Sequence, residues 1–354
     1  MLVQTYFPQR LSPSRYDTFL ASGWFRGSVM LYKMDLLCIE DDLYSVVNIR
    51  LNLDHFSMSR GQRKKFKKVN DRFRVEVRTA SVDEEKDSLY QKHKHKFRGF
   101  IHATLEDYLS SGFPNTVFNT QEVCVYDGKR LIAVSFFDVA EKSIASLLGL
   151  YDEDYGSFSL GVFTMLKEVD FAKKMGFKWY YPGYILDKES SFSYKLNLGD
   201  FEHYNHNKRW VSYDQYDPAS SLAYTINEEL DITQDELNSL GIASVSKLYP
   251  YFSMGYMGYW KMNFIKYPRI LILEIKADRI LAIGFDSEER RLDLFLCQST
   301  PAYDHLVNME VSQEFQRSDK YLMELLHLDE LMFSTSSPSE MANYYQKNIK
   351  NQTS

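Results

Sequence analysis

Cysteine is scarce in this chain: three in 354 residues, Cys38, Cys124 and Cys297, far apart in the sequence. Their odd number and wide spacing argue against a disulfide scaffold and point to a reducing compartment. Long apolar runs are missing too; no segment holds the ~18 uninterrupted apolar residues of a membrane-spanning helix. The start, MLVQTYFPQRLSPSRY, has no apolar stretch behind a basic end, so no signal peptide is expected. A cytoplasmic protein is the expectation. There is no internal repeat and no low-complexity segment. The eight histidines form no metal arrangement: His93 and His95 lie two apart in a predicted helix, and His203 and His206 fall in a predicted loop. Ser/His/Asp and Cys/His constellations leave no readable trace, so neither a metal nor another cofactor is expected.

What is present is aromatic and unevenly charged. Hydrophobic residues make up 44% and aromatics 15%, with 26 Tyr and 24 Phe. Such a chain is globular and long enough for two domains. Tyrosine also adds a polar handle suited to lining a groove. The net charge of −6 argues against general nucleic-acid binding, but residues 60–100 hold 14 Lys/Arg against 6 Asp/Glu, leaving −14 for the remainder. A concentrated basic zone on an acidic body can grip one phosphate backbone while repelling others.

Periodicity predicts a short helix in LSPSRYDTFLASGW and strands over residues 45–53 and 72–78. Residues 84–96 read as a charged helix. Residues 117–126 and 131–139 flank Asp127-Gly128, a hairpin signal for a type I′ turn, and residues 143–151 form a third strand. Then comes the most informative stretch, residues 151–195. Leu160, Phe163, Leu166, Val169 and Ala172 recur at helical spacing, Ser157 or Ser159 is placed to cap the helix, and Gly176 to close it. An aromatic strand over 178–185 follows. The resulting β-β-β-α-β order is that of a GNAT-like α/β fold, a mixed sheet flanked by helices. YDQYDPASS marks a boundary near residue 213, residues 268–297 read as a small three-stranded meander, and the last twenty residues are polar and expected to fray.

Five stretches, in order over roughly residues 10–212, resemble one family. They are LSPSRYDTFLASGW, FSMSRGQRKKFKK, DGKRLIAVSFFDV with SLLGLYDEDY, SLGVFTMLKEVDFAKKMGFKWYYPGYI, and SYK with the later Trp210. Together they are similar to the arginyl-tRNA–protein transferases, which move an amino acid from a charged tRNA to the N-terminal α-amine of a protein. The resemblance implies an N-terminal tRNA-contacting region (1–80) and a GNAT-like transferase core (81–213); it does not reach residues 214–354, read as a C-terminal domain of unknown role. It implies aminoacyl-tRNA and proteins with exposed acidic N-termini as partners, arginine or leucine as the transferred residue, tagging in an N-degron pathway, and no membrane. The family's clustered cysteines, which hold a metal or iron–sulfur centre, are reduced here to Cys38, and a single thiol cannot build such a site.

Candidate residues follow. Arg60, Arg63, Lys64 and Lys65 are the expected phosphate grip for tRNA, extended by Lys92, Lys94, Lys96 and Arg98; the alternative is a solvated helix face. Asp152, at a strand end, would take the amine proton, and Asp154 would bind the acceptor, unless both are ordinary turn carboxylates. Tyr181, Tyr184 and Tyr194 would line the aminoacyl pocket or simply fill core. Lys195 would meet a phosphate or the developing oxyanion. Gly161 and Gly183 leave room for substrate, or for packing, and Ser159 touches substrate or caps the helix. Two rival functions are an inactive tRNA or N-degron binding module and a CoA-dependent N-acyltransferase.

Overall fold

The computed structural model describes residues 1–113, 116–256, 263–301 and 309–350. Helix α1 (Pro13–Ala21) starts at the cap Ser12, and Gly23, at φ 77°, turns the chain out of it. The long strand β1 (Asp42–Asn52) follows, then the basic helix α2 (Arg60–Arg72), strand β2 (Arg74–Thr79) and helix α3 (Glu84–His93). Next come β3 (Thr120–Asp127), β4 (Arg130–Val139) and β5 (Ser143–Tyr151), then helix α4 (Leu160–Lys174). The predicted aromatic strand is two strands, β6 (Trp179–Tyr181) and β7 (Tyr184–Leu186), because Pro182 lacks a donor and Gly183 turns at φ 86°. Strands β8 (Phe201–Tyr204) and β9 (Trp210–Ser212) complete the main sheet, ordered β9-β8-β1-β6-β5-β4-β3-β2.

The β3–β4 hairpin forms, with one correction. A register shift between Val125 and Tyr126 pairs Asp127 with Arg130, so the central residues are Gly128 and Lys129. Only Gly128 has a positive φ, 61°, which suits type II′ and not type I′. The whole predicted face of α4, from Leu160 to Ala172, is buried, and Gly176 closes the helix at φ 76°. Its start differs from expectation. Ser159 is left-handed at φ 52° and its side chain makes no cap bond, while Ser157 lies inside the preceding 3₁₀ turn.

The main sheet is split between β5 and β6. β5 and β6 are parallel and pair at only three positions, Ser143–Trp179, Ile144–Tyr180 and Ala145–Tyr181. Beyond them β5 bulges between Ser146 and Leu148, and β7 leaves to pair with β1 at Asn48, Val47 and Val46. The two strands part, and a cavity opens between them.

The C-terminal part carries helix α5 (Leu222–Ser239) and a five-stranded antiparallel sheet, ordered β10 (Val245–Leu248), β11 (Arg269–Lys276), β12 (Arg279–Asp286), β13 (Arg291–Pro301) and β14 (Glu324–Thr335). The predicted meander is β11–β13. Its core is shared with the chain start: Leu2, Val3, Leu36, Cys38 and Leu43 are buried among Leu230, Ile270, Ile283 and Phe295. The end of the chain is not frayed over helix α6 (Pro338–Asn348), where Met341, Ala342 and Tyr345 are buried on one face. No helix of the described residues is long and apolar enough to cross a membrane.

Candidate active site

The cavity at the split holds about 170 Å³. Its walls include Trp24 and Phe25 after α1, Asn48 and Ile49 of β1, Ala145 to Leu147 of β5, and the segment from Tyr181 to Lys195, with Tyr32, Tyr108 and Trp210 beside them. Aromatic rings dominate. Tyr184 stacks on Phe192 with centroids 5.3 Å apart and meets Phe25 edge-on at 5.2 Å. Tyr181 packs edge-on against Trp210 at 5.8 Å. Arg26 also borders the cavity, but its donors are taken. Its guanidinium reaches Asp138 at 2.6 Å, Thr120 at 2.7 Å and the carbonyls of Ser28 and Leu109 at 2.7 and 2.5 Å. Tyr16 of α1 donates to the other oxygen of Asp138 at 2.9 Å, so this buried pair is neutral and structural.

Lys195 is the unpaired charge of the cavity. It sits on the 3₁₀ turn Ser193–Leu198 and donates to the carbonyl of Tyr184 at 2.7 Å. Burial alone pushes its pKa down to about 7 from the usual lysine value, as desolvation does to an ammonium with no anion beside it. Gly183 beside it is at φ 86°, a left-handed turn that favours glycine. A lysine near neutrality can hold or release a proton at working pH. A second buried carboxyl lies behind the β5 wall. Glu168 of α4 is fully buried, accepts from Tyr180 at 2.8 Å, and is pushed up to about 7 by burial.

Helix α2 presents Arg60, Arg63, Lys64, Lys65, Lys67 and Lys68 to solvent. Among the described residues no carboxylate pairs with any of the six; the helix's ion pair is Arg72 with Asp127 at 3.7 Å. The proposed extension of this track is different. Lys94 pairs with Glu310 at 2.9 Å, Lys96 with Glu153 at 2.9 Å and Arg98 with Glu314 at 3.5 Å, so three of its four cations are already neutralised.

Of the expected site residues, Tyr181, Gly183, Tyr184 and Lys195 meet in the cavity. Asp152 and Asp154 do not. Asp152 caps the turn after β5, accepting from the Asp154 amide at 3.1 Å, and forms an ion pair with Arg130. Asp154 also faces Arg130, at 3.8 Å. At ~3.3 Å per strand residue, six residues place Asp152 roughly 20 Å from Ser146. Tyr194 is 48% exposed as a residue and outside the cavity lining; burial of its hydroxyl, with Glu168 and Tyr151 nearby, raises its pKa. Gly161 lies at the helix start outside the cavity lining, where a Cβ would be 3.4 Å from the Tyr151 ring. Ser159 lies there too. The cavity also uses residues the sequence analysis missed. Trp24 carries a signal in its Gly-Trp pair, whereas Asn48 and Ser146 carry none beyond strand alternation.

Residues 77–205 match the family model for arginine-tRNA-protein transferase, C terminus. An aspartate/glutamate leucyltransferase of Leptospira interrogans is 26% identical over 218 residues, covering 59% of this chain and 83% of that protein. One from Campylobacter jejuni is 28% identical over 194 residues, covering 51% and 76%. Over residues 77–205 the chain carries the C-terminal part of an arginyl-tRNA–protein transferase, and it is an aminoacyltransferase. Among solved structures, L-PGS of Bacillus licheniformis overlaps with a TM-score of 0.32 at 11% identity, covering 53% of the transferase and 55% of that chain. All three cysteines of this transferase are free and buried. Cys38 is 4% exposed, donates to the Pro268 carbonyl at 3.3 Å, and is held as a thiol by burial. Cys124 and Cys297 are buried on β3 and β13. Among the described residues no three His, Cys, Asp or Glu side chains are grouped to hold a metal.

Proposed function

We propose that this transferase moves leucine from charged tRNA to the N-terminal α-amine of proteins that begin with aspartate or glutamate. The observation that carries the reading is the cavity: aromatic and apolar walls, one unpaired ammonium, and no carboxylate in the lining. A leucyl side chain loses nothing on entering such a space. A guanidinium would be stripped of water beside Lys195 with no anion to receive it, which disfavours arginine. The names of the two bacterial relatives agree with leucine and with acidic acceptors. Exposed, unpaired cations on α2 suit a phosphate backbone, and α2 adjoins the turn that carries Lys195.

The chemistry needs little beyond placement. The ester of aminoacyl-tRNA is already activated, so the enzyme has to hold ester and amine together and manage one proton. Neutral Lys195 takes a proton from the attacking amine as the new C–N bond forms at the ester carbon. The C–O bond to the ribose then breaks, and Lys195 returns the proton to the departing hydroxyl. The product protein gains a leucine at its N-terminus, the kind of tag that an N-degron pathway reads, in the cytoplasm where charged tRNA is made.

The test is transfer of radiolabelled leucine or arginine from charged tRNA to peptides beginning with Asp, Glu or Ala. Leucine label confined to the acidic peptides supports the reading. Arginine label instead would overturn the donor assignment. Bound tRNA with no label from either donor would favour the inactive binding module.

A further inference from the structure

Gln62 lies within the basic helix, yet its side chain faces the Lys195 turn. Its Nε2 donates to the carbonyls of Asn197 at 3.0 Å and Leu198 at 2.8 Å. Its Oε1 accepts from the Ser59 amide at 2.7 Å, and its own amide donates to the Ser59 hydroxyl at 3.2 Å. The second pair is a capping box at the start of α2. The first satisfies the last carbonyls of the 3₁₀ turn Ser193–Leu198, which have no partner within that turn. Both amide hydrogens and the amide oxygen are therefore in use. A glutamate at this position would keep the capping box and aim a carboxylate at two carbonyl oxygens.

The clamp is rigid on both sides. Leu198 is 2% exposed, and a Cβ on the next residue, Gly199, would come within 3.3 Å of Phe56 and 3.2 Å of Leu51. The Phe56 carbonyl in turn accepts from Lys173 of α4 at 2.6 Å. Lys195 is two residues before Asn197, in the same turn, so a shift of the clamped carbonyls carries its side chain with them. Building on the proposed function, we infer that Gln62 is a positioning residue for Lys195: from the helix that grips phosphate, it fixes where the ammonium sits in the cavity.

Three variants of the full chain test this: Gln62→Met, which keeps helix propensity and removes the donors; Gln62→Glu, which adds repulsion; and Ser59→Ala, which weakens the cap and keeps the clamp. Two readouts are independent of tRNA binding. One is kcat with saturating leucyl-tRNA. The other is the pH midpoint of Lys195 acetylation by trace acetic anhydride, read on its peptide by mass spectrometry. Gln62→Met should lower kcat by roughly ten- to a hundredfold, the scale of an ångström-level misplacement, and raise the labelling midpoint above that of the parent chain. Gln62→Glu should do more of both, and Ser59→Ala should change neither. An unchanged midpoint in both Gln62 variants overturns the inference, as does an equal shift in Ser59→Ala. Labelling requires no transfer, so it tests the clamp even if the proposed activity fails.

Discussion

Lys195 donates to the Tyr184 carbonyl at 2.7 Å, and among the described residues no carboxylate pairs with it. The contrast within the same chain is Lys86. It is more deeply enclosed, at 1% exposure, and holds Glu122 at 2.9 Å and Asp83 at 3.1 Å. One lysine is compensated and structural. The other has one carbonyl and the faces of Tyr184 and Phe192, at 5.3 and 5.0 Å, but no carboxylate, an arrangement that costs stability.

Replacing Lys195 with Met should therefore separate activity from stability. Transfer should fall by about 10²–10⁴-fold, the usual range for a lost acid–base group. Stability should rise, in a pH-dependent way. The native pKa of about 7 lies below the usual 10.5. Between those values the unfolded chain holds a proton that the native chain has released, so native stability climbs with pH across that window. The gain from Lys195→Met is then fully present below pH 7 and gone above about 10.5. Thermal denaturation at pH 6 and at pH 10 checks it; an equal gain at both would remove ionisation as the cause.

Reversing Arg63 and Lys64 to Glu should weaken tRNA binding steeply with salt. Each lost phosphate contact removes about 0.7–0.9 from the slope of log K against log salt, so the double reversal should flatten it by about 2. Reversing Lys94 should do much less, because Glu310 already neutralises it. Filter binding at several salt concentrations distinguishes the two. Equal effects would mean that the whole stretch, and not α2, contacts the nucleic acid.

The fold was readable where period and local chemistry agreed. In α4, positions 160, 163, 166, 169 and 172 are both periodic and buried. The β3–β4 hairpin was readable as a hairpin, but its turn moved by one residue because a bulge at Val125–Tyr126 is a tertiary matter. The cavity was half readable. Tyr181, Gly183, Tyr184 and Lys195 sit in one segment, whereas Trp24, Asn48 and Ser146 arrive only through sheet pairing. Asp152 and Asp154 lie away from the cavity, because a carboxylate at a strand end does not say at which end of the strand the sheet splits. That depends on where Pro182 and Gly183 divert β6 from β5. The outer strand β14 went unseen for a similar reason: it pairs with β13 through two register shifts, so its apolar residues do not alternate.

Asp152→Asn should leave transfer within about threefold of the parent, as expected of a group remote from the reacting atoms. Its carboxylate is engaged with Arg130 and the Asp154 amide, at the far end of β5 from the cavity. Steady-state transfer to an Asp-initiated peptide is the measurement. A loss comparable to that of Lys195→Met would relocate the active centre to the turn after β5.

Glu168→Gln should stabilise the protein at alkaline pH and leave it little changed in acid. The native carboxyl titrates near 7 because burial disfavours its charge, against about 4.3 when exposed. In that interval the native chain holds a proton that the unfolded chain has lost, so stability falls as pH rises through it. The full cost, on the order of 3 kcal/mol, is reached above pH 7 and is absent below pH 4. Glutamine keeps an acceptor for the Tyr180 hydroxyl, which reaches Glu168 at 2.8 Å, and it cannot ionise. Denaturant midpoints at pH 4.5 and pH 8.5 should therefore coincide with the parent at the first and exceed it at the second. A variant less stable at both would mean that the unpaired Oε1 of Glu168 meets a group that an amide cannot satisfy, and that burial alone does not set its titration.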